Sequence, residues 1–199
     1  TPTQMNAIGA FNLAYKNKFF KLMDNVDMDG VSYNVIGVIA NKFSGEFDGN
    51  NKTITNLTIS ASGTSYQGLF GYLSGGAIKN VGLSNINITG GAYTGGLAGY
   101  IFSGTISNSF TSGLVTGTGT YIGGLVGHLG DVTDSDDGNF GTISSSFSSA
   151  SVSSSSLYVG GLVGQMAQPD SVIQNSYSTG SVTGSNYIGG FIGRSVDVA

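Results

Sequence analysis

Four aspartates crowd into one short segment of the sequence. Asp131, Asp134, Asp136 and Asp137 fall within the segment 130–139. Carboxylate and backbone oxygens are the ligands that Ca²⁺ prefers in proteins. The spacing differs from that of an EF-hand loop and no Glu follows, so a solvated acidic loop is the alternative interpretation. The sequence therefore predicts no cofactor except a calcium ion at these four aspartates.

A second acidic segment matches the opening of a calcium loop more closely. Asn25, Asp27 and Asp29 alternate and are followed by Gly30. The twelfth position would be Ile36, where the loop needs a bidentate Glu. We therefore expect a turn between two strands here rather than a metal site.

A pair of carboxylates has the spacing that glycoside hydrolysis could use. Glu46 is the only Glu, and Asp48 lies two residues later, on the same side of a regular strand. Such a pair can act as general acid and base on a sugar chain. The alternative is a turn signature without catalysis, and the only nearby basic residues, Lys42 and Lys52, give little support to lyase chemistry on uronates. A polysaccharide-active β-helix, either lyase or hydrolase, therefore stays open as an alternative.

The single histidine gives little sign of catalysis. His128 has no nucleophile elbow to serve in a Ser-His-Asp triad, and one histidine cannot form a His-Glu-x-x-His zinc site. It occupies a position that different side chains fill in the other copies of a repeat. A position accepting such varied side chains is most simply an exposed one. We therefore predict an exposed binding row made of Tyr72, Tyr100, His128, Gln165 and Arg194.

Five tyrosines recur at another equivalent position of the repeat. If they are exposed, their rings would form an aromatic strip suited to sugars or to another protein. If they are buried, they belong to the core. Parity places Tyr121 on the same side as Leu125 unless Gly123 and Gly124 bend the strand, and this favours burial. The five are Tyr66, Tyr93, Tyr121, Tyr158 and Tyr187.

These residues are positioned by a repeat whose core is Gly-Leu-x-Gly. Copies begin at residues 68, 96, 124, 161 and, as Gly-Phe-Ile-Gly, 190, so the steps are 28, 28, 37 and 29 residues. A period of this size indicates one supersecondary unit that stacks on itself and shares its core with its neighbours. The long step contains the segment 130–139, and insertions in such proteins map to loops that often carry function.

Each unit contains about three short strand candidates rich in Val, Ile, Thr and Tyr. Three strands in about 28 residues fit an all-β parallel solenoid better than a propeller, whose blades need four strands and about 40 residues. Equivalent residues should then form ladders about 4.8 Å apart. We predict three: Ile78, Ile106, Ile143 and Ile173; Leu83, Phe110, Phe147 and Tyr177; Leu69, Leu97, Leu125, Leu162 and Phe191. A shared Asn register (Asn80, Asn108 and Asn175, with Ser145 substituting) should stack at a turn or, alternatively, offer a polar binding stripe.

The N-terminal part does not follow the repeat. Thr3 is a candidate N-cap for a short helix after Pro2, and strand-like runs follow at 19–23 and 35–39. An atypical first segment is the expected cap for an open solenoid end. We therefore predict a cap over residues 1–45 and one continuous solenoid over residues 46–199.

The Tyr-x-Gly-Gly-Leu-x-Gly copies resemble the GLUG motif of bacterial surface proteins, and residues 43–59 resemble the segment that commonly precedes it. The resemblance covers nearly the whole chain, although the first copy lacks one Gly and the long step departs from the pattern. Proteins with this motif include large adhesins, filamentous-haemagglutinin-like proteins and chains with IgA-specific metallopeptidase domains. The resemblance implies a right-handed parallel β-helix, capped by a short helix and strand segment, that is exported and displayed at the cell surface.

Composition narrows the functional classes. The net charge is −4 with only seven Lys and Arg, which argues against nucleic acid as a partner, and no apolar run is long enough to span a membrane. The chain has no Cys and therefore no thiol chemistry. We predict a non-enzymatic extracellular module serving as adhesin, stalk or fibre building block, with a calcium-stabilised carbohydrate-binding module as a further alternative. Expected partners are a protein or glycan of a host or neighbouring cell, or further copies associating end to end.

Overall fold

The computed structural model describes residues 1–131 and 140–196 and shows a β-solenoid of about six parallel coils with a short N-terminal helix. All strand pairs among these residues are parallel, and the pairing extends from Phe19 near the N-terminus to Ser195 in the last coil. The all-β solenoid class predicted from the repeat is therefore confirmed.

The described part of the chain contains two helices and twenty strands. The helices are α1 (Pro2–Ala10) and α2 (Asn12–Tyr15). The first strands are β1 (Phe19–Lys21), β2 (Val26–Asp27), β3 (Glu46–Thr55), β4 (Thr58–Ser60), β5 (Phe70–Gly90), β6 (Thr94–Gly95), β7 (Ala98–Ser107), β8 (Phe110–Gly117), β9 (Ile122–Gly123) and β10 (Val126–Leu129). After the insertion follow β11 (Gly141–Ser144), β12 (Phe147–Ser148), β13 (Ser151–Ser154), β14 (Leu157–Gly160), β15 (Val163–Met166), β16 (Val172–Gln174), β17 (Tyr177–Ser178), β18 (Val182–Thr183), β19 (Asn186–Gly189) and β20 (Ile192–Ser195).

Helix α1 begins two residues earlier than the sequence predicted. Thr1, rather than Thr3, is the N-cap, and its side chain forms a reciprocal capping box with Gln4 while Pro2 occupies the first turn. Proline fits there because its missing N–H would have no helical partner. The helix buries Met5 and Ile8 against the first coil.

The strands divide into two parallel sheets. Sixteen strands form one continuous sheet that wraps around the coils, and β6, β9, β14 and β19 form a separate four-stranded sheet. Pairing begins at Phe19, which aligns with Glu46, so the first coil lies inside the segment that the sequence assigned to the cap. Register continues across the insertion, because Thr142 pairs with Thr105.

The core consists of ladders of equivalent side chains. The predicted isoleucine ladder is confirmed by pairing of Ile78, Ile106, Ile143 and Ile173. The leucine ladder is also confirmed: Leu69, Leu97, Leu125 and Leu162 are fully buried, and Leu162 donates its N–H to the carbonyl of Phe191. Hydrophobic burial within these ladders is the main stabilising contribution to such a fold.

The third predicted ladder was partly wrong. Phe110 pairs with Gly82, not with Leu83, which lies fully buried in the core. Phe110, Phe147 and Tyr177 stack outside the core with ring centroids 5.1 and 4.9 Å apart. The true register differs from the predicted one by one residue, and a shift of one residue moves a side chain to the opposite face of a strand. The Phe110 ring therefore lies outside the core, where it has room because Gly82 has no side chain.

Candidate functional site

Five tyrosine rings stack along the outside of the solenoid, beside the four-stranded sheet. We call Tyr66, Tyr93, Tyr121, Tyr158 and Tyr187 the tyrosine row. Neighbouring ring centroids are 4.8, 4.8, 5.2 and 5.1 Å apart, and the angles between ring planes are 1°, 25°, 10° and 30°. The first four side chains are half-buried and Tyr187 is 53% exposed. The row therefore forms a nearly regular aromatic strip that solvent can reach.

Every tyrosine in this row has a left-handed backbone conformation. Their φ angles lie between 51° and 67°. All other non-glycine residues with positive φ in the described chain are asparagines or Ser145, which are small and polar. A bulky L-residue in this region is a conformational outlier that costs about 1–2 kcal/mol. The expectation that Tyr121 would share the core side with Leu125 was therefore wrong, because the backbone turns at the tyrosine before the glycine pair.

The row predicted to be exposed is instead mostly buried. Its register is confirmed by strand pairing, but Tyr72 and Tyr100 are only 6% exposed, Gln165 4% and His128 0%. Only Arg194, in the last coil, is exposed as predicted. We call these five residues the second row.

The tyrosine row is what covers the second row. Tyr93 lies 5.4 Å from Tyr100 and Tyr121 lies 5.0 Å from His128, measured between ring centroids. The side chains of the second row vary because they lie outside the solenoid core, beneath these rings. Variation was therefore a misleading sign of exposure.

Burial keeps this aromatic layer uncharged. Desolvation raises the pKa of Tyr72 to about 12 and raises that of Tyr100 further, so both phenols remain protonated at neutral pH. Burial also lowers the pKa of His128 to about 3, with the Asp131 carboxylate opposing this effect. The Gly130 backbone, like Asp131, opposes the lowering of the His128 pKa. Among the described residues, neither ring nitrogen of His128 has a hydrogen-bond partner of good geometry, and the neighbouring Gln165 Oε1 has none either. Unpaired buried polar atoms of this kind destabilise a fold.

Two of the seven cationic side chains lie along the aromatic strip. Lys42 Nζ is 4.9 Å from the Tyr72 ring centroid and 5.4 Å from that of Phe102. Arg194 lies 5.1 Å from the Tyr158 ring centroid and donates a hydrogen bond to its hydroxyl at 3.1 Å. All three cation–ring distances suit cation–π attraction. Sequence reasoning missed Lys42 and Phe102 as members of this site, because neither belongs to the repeated motif.

The candidate calcium ligands are only partly described. Asp131 is buried after β10, whereas Asp134, Asp136 and Asp137 lie outside the described residues. Within residues 1–131 and 140–196, no three Asp, Glu or His side chains form a group that could hold a metal. Calcium at the insertion therefore stays a prediction.

The acidic segment near residue 27 has an internal structural role. Asp27 Oδ1 accepts hydrogen bonds from Asn56 Nδ2 at 2.8 Å and from the Asp29 N–H at 3.1 Å. Asn25 Oδ1 accepts the N–H of Thr53 at 2.9 Å. The hydrogen bond from Asn56 is the main cause of the lowered pKa of Asp27. These contacts support the interpretation of a turn.

The carboxylate pair considered for catalysis is also used in internal contacts. Glu46 forms an ion pair with Lys79 at 2.5 Å. Asp48 Oδ1 accepts hydrogen bonds from the Asn50 N–H at 2.8 Å and from Asn80 Nδ2 at 3.0 Å, which lower its pKa. A small cavity of about 140 Å³ is lined by Asn80, but by neither carboxylate. The geometry therefore favours a turn-stabilising role for this pair.

Comparison with known proteins agrees with this architecture. The family model of the GLUG motif matches residues 155–183, which include β14 and the Gly-Leu-x-Gly copy at 161–164. The chain carries a GLUG motif. The resemblance seen in the sequence is thereby confirmed. Backbone hydrogen bonds connect Leu162 of this GLUG copy to Leu125 in the preceding coil and to Phe191 in the following coil.

Two relatives give the GLUG solenoid a wider context. Halomucin from Haloquadratum walsbyi is 51% identical over 49 residues, which are 24% of this chain and, rounded, 0% of halomucin. A candidate immunoglobulin A1 protease from Bacteroides ovatus, known from a crystal structure, has a TM-score of 0.79 at 28% identity. That match covers 98% of this chain and 60% of the other, so this chain corresponds to part of both proteins. No helix in the described residues is long and apolar enough to cross a membrane.

Proposed function

We propose that this chain is a non-enzymatic, extracellular GLUG solenoid that serves as an adhesive section of a surface protein. The observation that carries the proposal is the parallel pairing of successive coils, which continues across the insertion from Thr105 to Thr142. Such stacking produces a stiff body whose outer faces repeat at each coil. The GLUG motif and the similarity to halomucin support an extracellular location.

The dimensions favour adhesion over spacing. About six coils, each rising about 4.8 Å, give a rod section about 30 Å long. A flexible chain of equal residue number would reach further on average. The useful property of this section is therefore its rigid lateral surface, and the expected partner is a protein or glycan of a host or neighbouring cell, not nucleic acid. The polysaccharide-cleaving alternative is not favoured, because Glu46 and Asp48 are engaged with Lys79 and Asn80.

A display experiment tests the adhesive function. The chain is placed between a membrane anchor and an epitope tag on bacterial cells, and a Gly/Ser linker of equal residue number is the control. Cells carrying the solenoid should adhere to mucin-coated and epithelial surfaces more strongly than linker cells at equal epitope exposure. Equal adhesion would contradict the proposal, and release of sugars or peptides from the coated surface would indicate an enzyme instead.

A further inference from the structure

The backbone strain in the tyrosine row is greater than a turn between coils requires. Elsewhere in this chain, left-handed turns between coils use Asn, for example Asn80 and Asn108. Asn adopts this conformation with less strain than Tyr. Strained residues that persist in a structure are found disproportionately at functional sites. Five tyrosines at φ of 51–67° therefore point to a function of the side chain, beyond the turn itself.

The hydroxyl groups are the part of these side chains that packing does not explain. The rings cover the second row, and phenylalanine rings would cover it equally well. Of the five hydroxyls in the tyrosine row, only that of Tyr158 bonds to another described residue, namely Arg194. Because arginine can only donate, the Tyr158 oxygen is the acceptor and its own proton stays available. The row thus offers a line of phenol hydroxyls that can bond to a ligand.

The spacing of this line defines the kind of ligand. The rings repeat at 4.8–5.2 Å with one identical residue in each of five coils. A partner protein that is not itself a repeat protein presents an aperiodic surface and would gain little from five identical contacts in register. An extended polysaccharide repeats a pyranose unit at a comparable distance, and its hydroxyls both donate and accept hydrogen bonds.

We propose that the tyrosine row binds a linear polysaccharide that lies along the solenoid axis, with successive sugar units opposite successive coils. Lys42 and Arg194, at opposite ends of the strip, add donors for sugar hydroxyls or an occasional carboxylate. The site is rigid in advance, because the ring stack rests on the buried Tyr72, Tyr100 and His128. Preorganisation lowers the entropic cost of holding a flexible chain.

The test compares hydroxyl removal on two faces of the same protein. The first variant combines Tyr93→Phe, Tyr121→Phe and Tyr158→Phe, which retain the rings. The control is Tyr177→Phe, an exposed and stacked tyrosine of the other aromatic ladder. Purified chains are assayed by biolayer interferometry on immobilised hydroxyethyl cellulose, linear xylan, mannan and hyaluronate, with unglycosylated albumin as a protein surface.

The wild-type chain and the Tyr177→Phe control should bind at least one polysaccharide equally, and the triple variant at least tenfold more weakly, with an unchanged thermal midpoint. If the triple variant lowers the midpoint, the three single variants replace it and each should weaken binding. No binding to any polysaccharide, equal binding by the tyrosine variants, or equal binding to albumin would overturn the proposal.

This inference rests on the proposed surface role of the GLUG solenoid, yet the two can fail separately. If displayed cells still adhere when the triple variant replaces the wild-type chain, the adhesive role survives and the tyrosine row is not its site. If neither chain supports adhesion but the purified wild type binds polysaccharide, the binding site stands and the adhesive role is wrong.

Discussion

One asparagine ladder on the solenoid is interrupted by a serine, and repairing it should stabilise the fold. Asn108 Nδ2 donates to Asn80 Oδ1 at 3.2 Å, and Asn80 Nδ2 donates to Asp48 Oδ1 at 3.0 Å. In the next coil Ser145 holds the same left-handed turn at φ 48°, and Asn175 follows in the last coil at φ 51°. The serine hydroxyl is too short to continue the amide ladder. Ser145→Asn should restore it.

The expected gain is modest and can be estimated from two contributions. Asparagine tolerates the left-handed conformation better than serine, which should contribute about 0.5 kcal/mol. One exposed hydrogen bond to Asn108 should contribute about 0.5 kcal/mol more. A gain of about 1 kcal/mol in a chain of this size raises the thermal midpoint by about 2–4 °C. The reciprocal change Asn108→Ser removes both contributions and should lower the midpoint by a similar amount.

Thermal unfolding followed by circular dichroism at neutral pH measures both changes. Ser155→Asn is the matched control, because Ser155 is exposed but has no positive φ, and it should leave the midpoint unchanged. Compared with Asn108→Ser alone, the double variant Ser145→Asn with Asn108→Ser should regain only the conformational part, since its new amide lacks the acceptor on Asn108, and its midpoint should stay below that of the wild type. A midpoint that falls or stays constant in Ser145→Asn, or one that rises equally in Ser155→Asn, would refute the reasoning.

Three further predictions concern the glycine pair, the buried histidine and the insertion. Gly124→Ala should destabilise the fold by at least about 3 kcal/mol, because its Cβ would collide with the carbonyl oxygen of Gly161 in the next coil. Gly190→Ala is the control, because a Cβ at Gly190 meets nothing within 4 Å and should be tolerated. Urea unfolding measures both variants, and equal effects on stability would contradict this prediction. His128 has a folded pKa of about 3 against 6.5 when unfolded, so wild-type stability should be full above pH 6.5 and fall as pH decreases toward 3. His128→Phe should be more stable at pH 7 and should remove the part of that fall between pH 6.5 and the ordinary Asp pKa of 3.8, below which the lowered pKa values of Asp27 and Asp48 cause a loss in both chains. Parallel stability–pH curves above that value would be inconsistent with a buried neutral histidine. The proposed calcium site predicts that free Ca²⁺ at about 100 times its Kd stabilises the fold by about 2.7 kcal/mol. A chelator, or the double variant Asp134→Asn with Asp136→Asn, should remove this stabilisation. A thermal midpoint that does not change when Ca²⁺ is added would contradict the proposed site.

The architecture was predictable because the same sequence pattern recurs in each coil. Each coil carries the same apolar positions, so aligning copies of the sequence is equivalent to aligning strands in register. This is why the ladders through Ile106 and Leu125 follow directly from the spacing of the motif. The first coil was assigned to the cap because its sequence lacks the motif, although Phe19 already pairs with Glu46.

The candidate site was less predictable because it depends on backbone conformation at single residues. Parity assigns sides only while a strand stays regular. The turn at Tyr121 breaks this regularity and moves its ring over His128 instead of into the core with Leu125. A tyrosine in the sequence does not predict a left-handed turn, since bulky residues are disfavoured in that conformation. The tyrosine row and the second row were therefore both identified correctly as rows. The tyrosine row was expected to be buried and the second row exposed, and the structure shows the reverse.

This exchange changes which irregularity of the solenoid deserves a functional explanation. Varied side chains in the second row, from Tyr100 to His128 and Gln165, are tolerated because the overlying rings and the solenoid core form separate layers. Constancy in the tyrosine row is harder to explain, because each copy retains a strained backbone where Asn would relieve it. Strain that is repeated in five coils, at a position reached by solvent, is expected when each copy contacts the same unit of a repeating ligand. On this reasoning the regular face of the solenoid, rather than the break at residues 130–139, is the first place to look for its binding function.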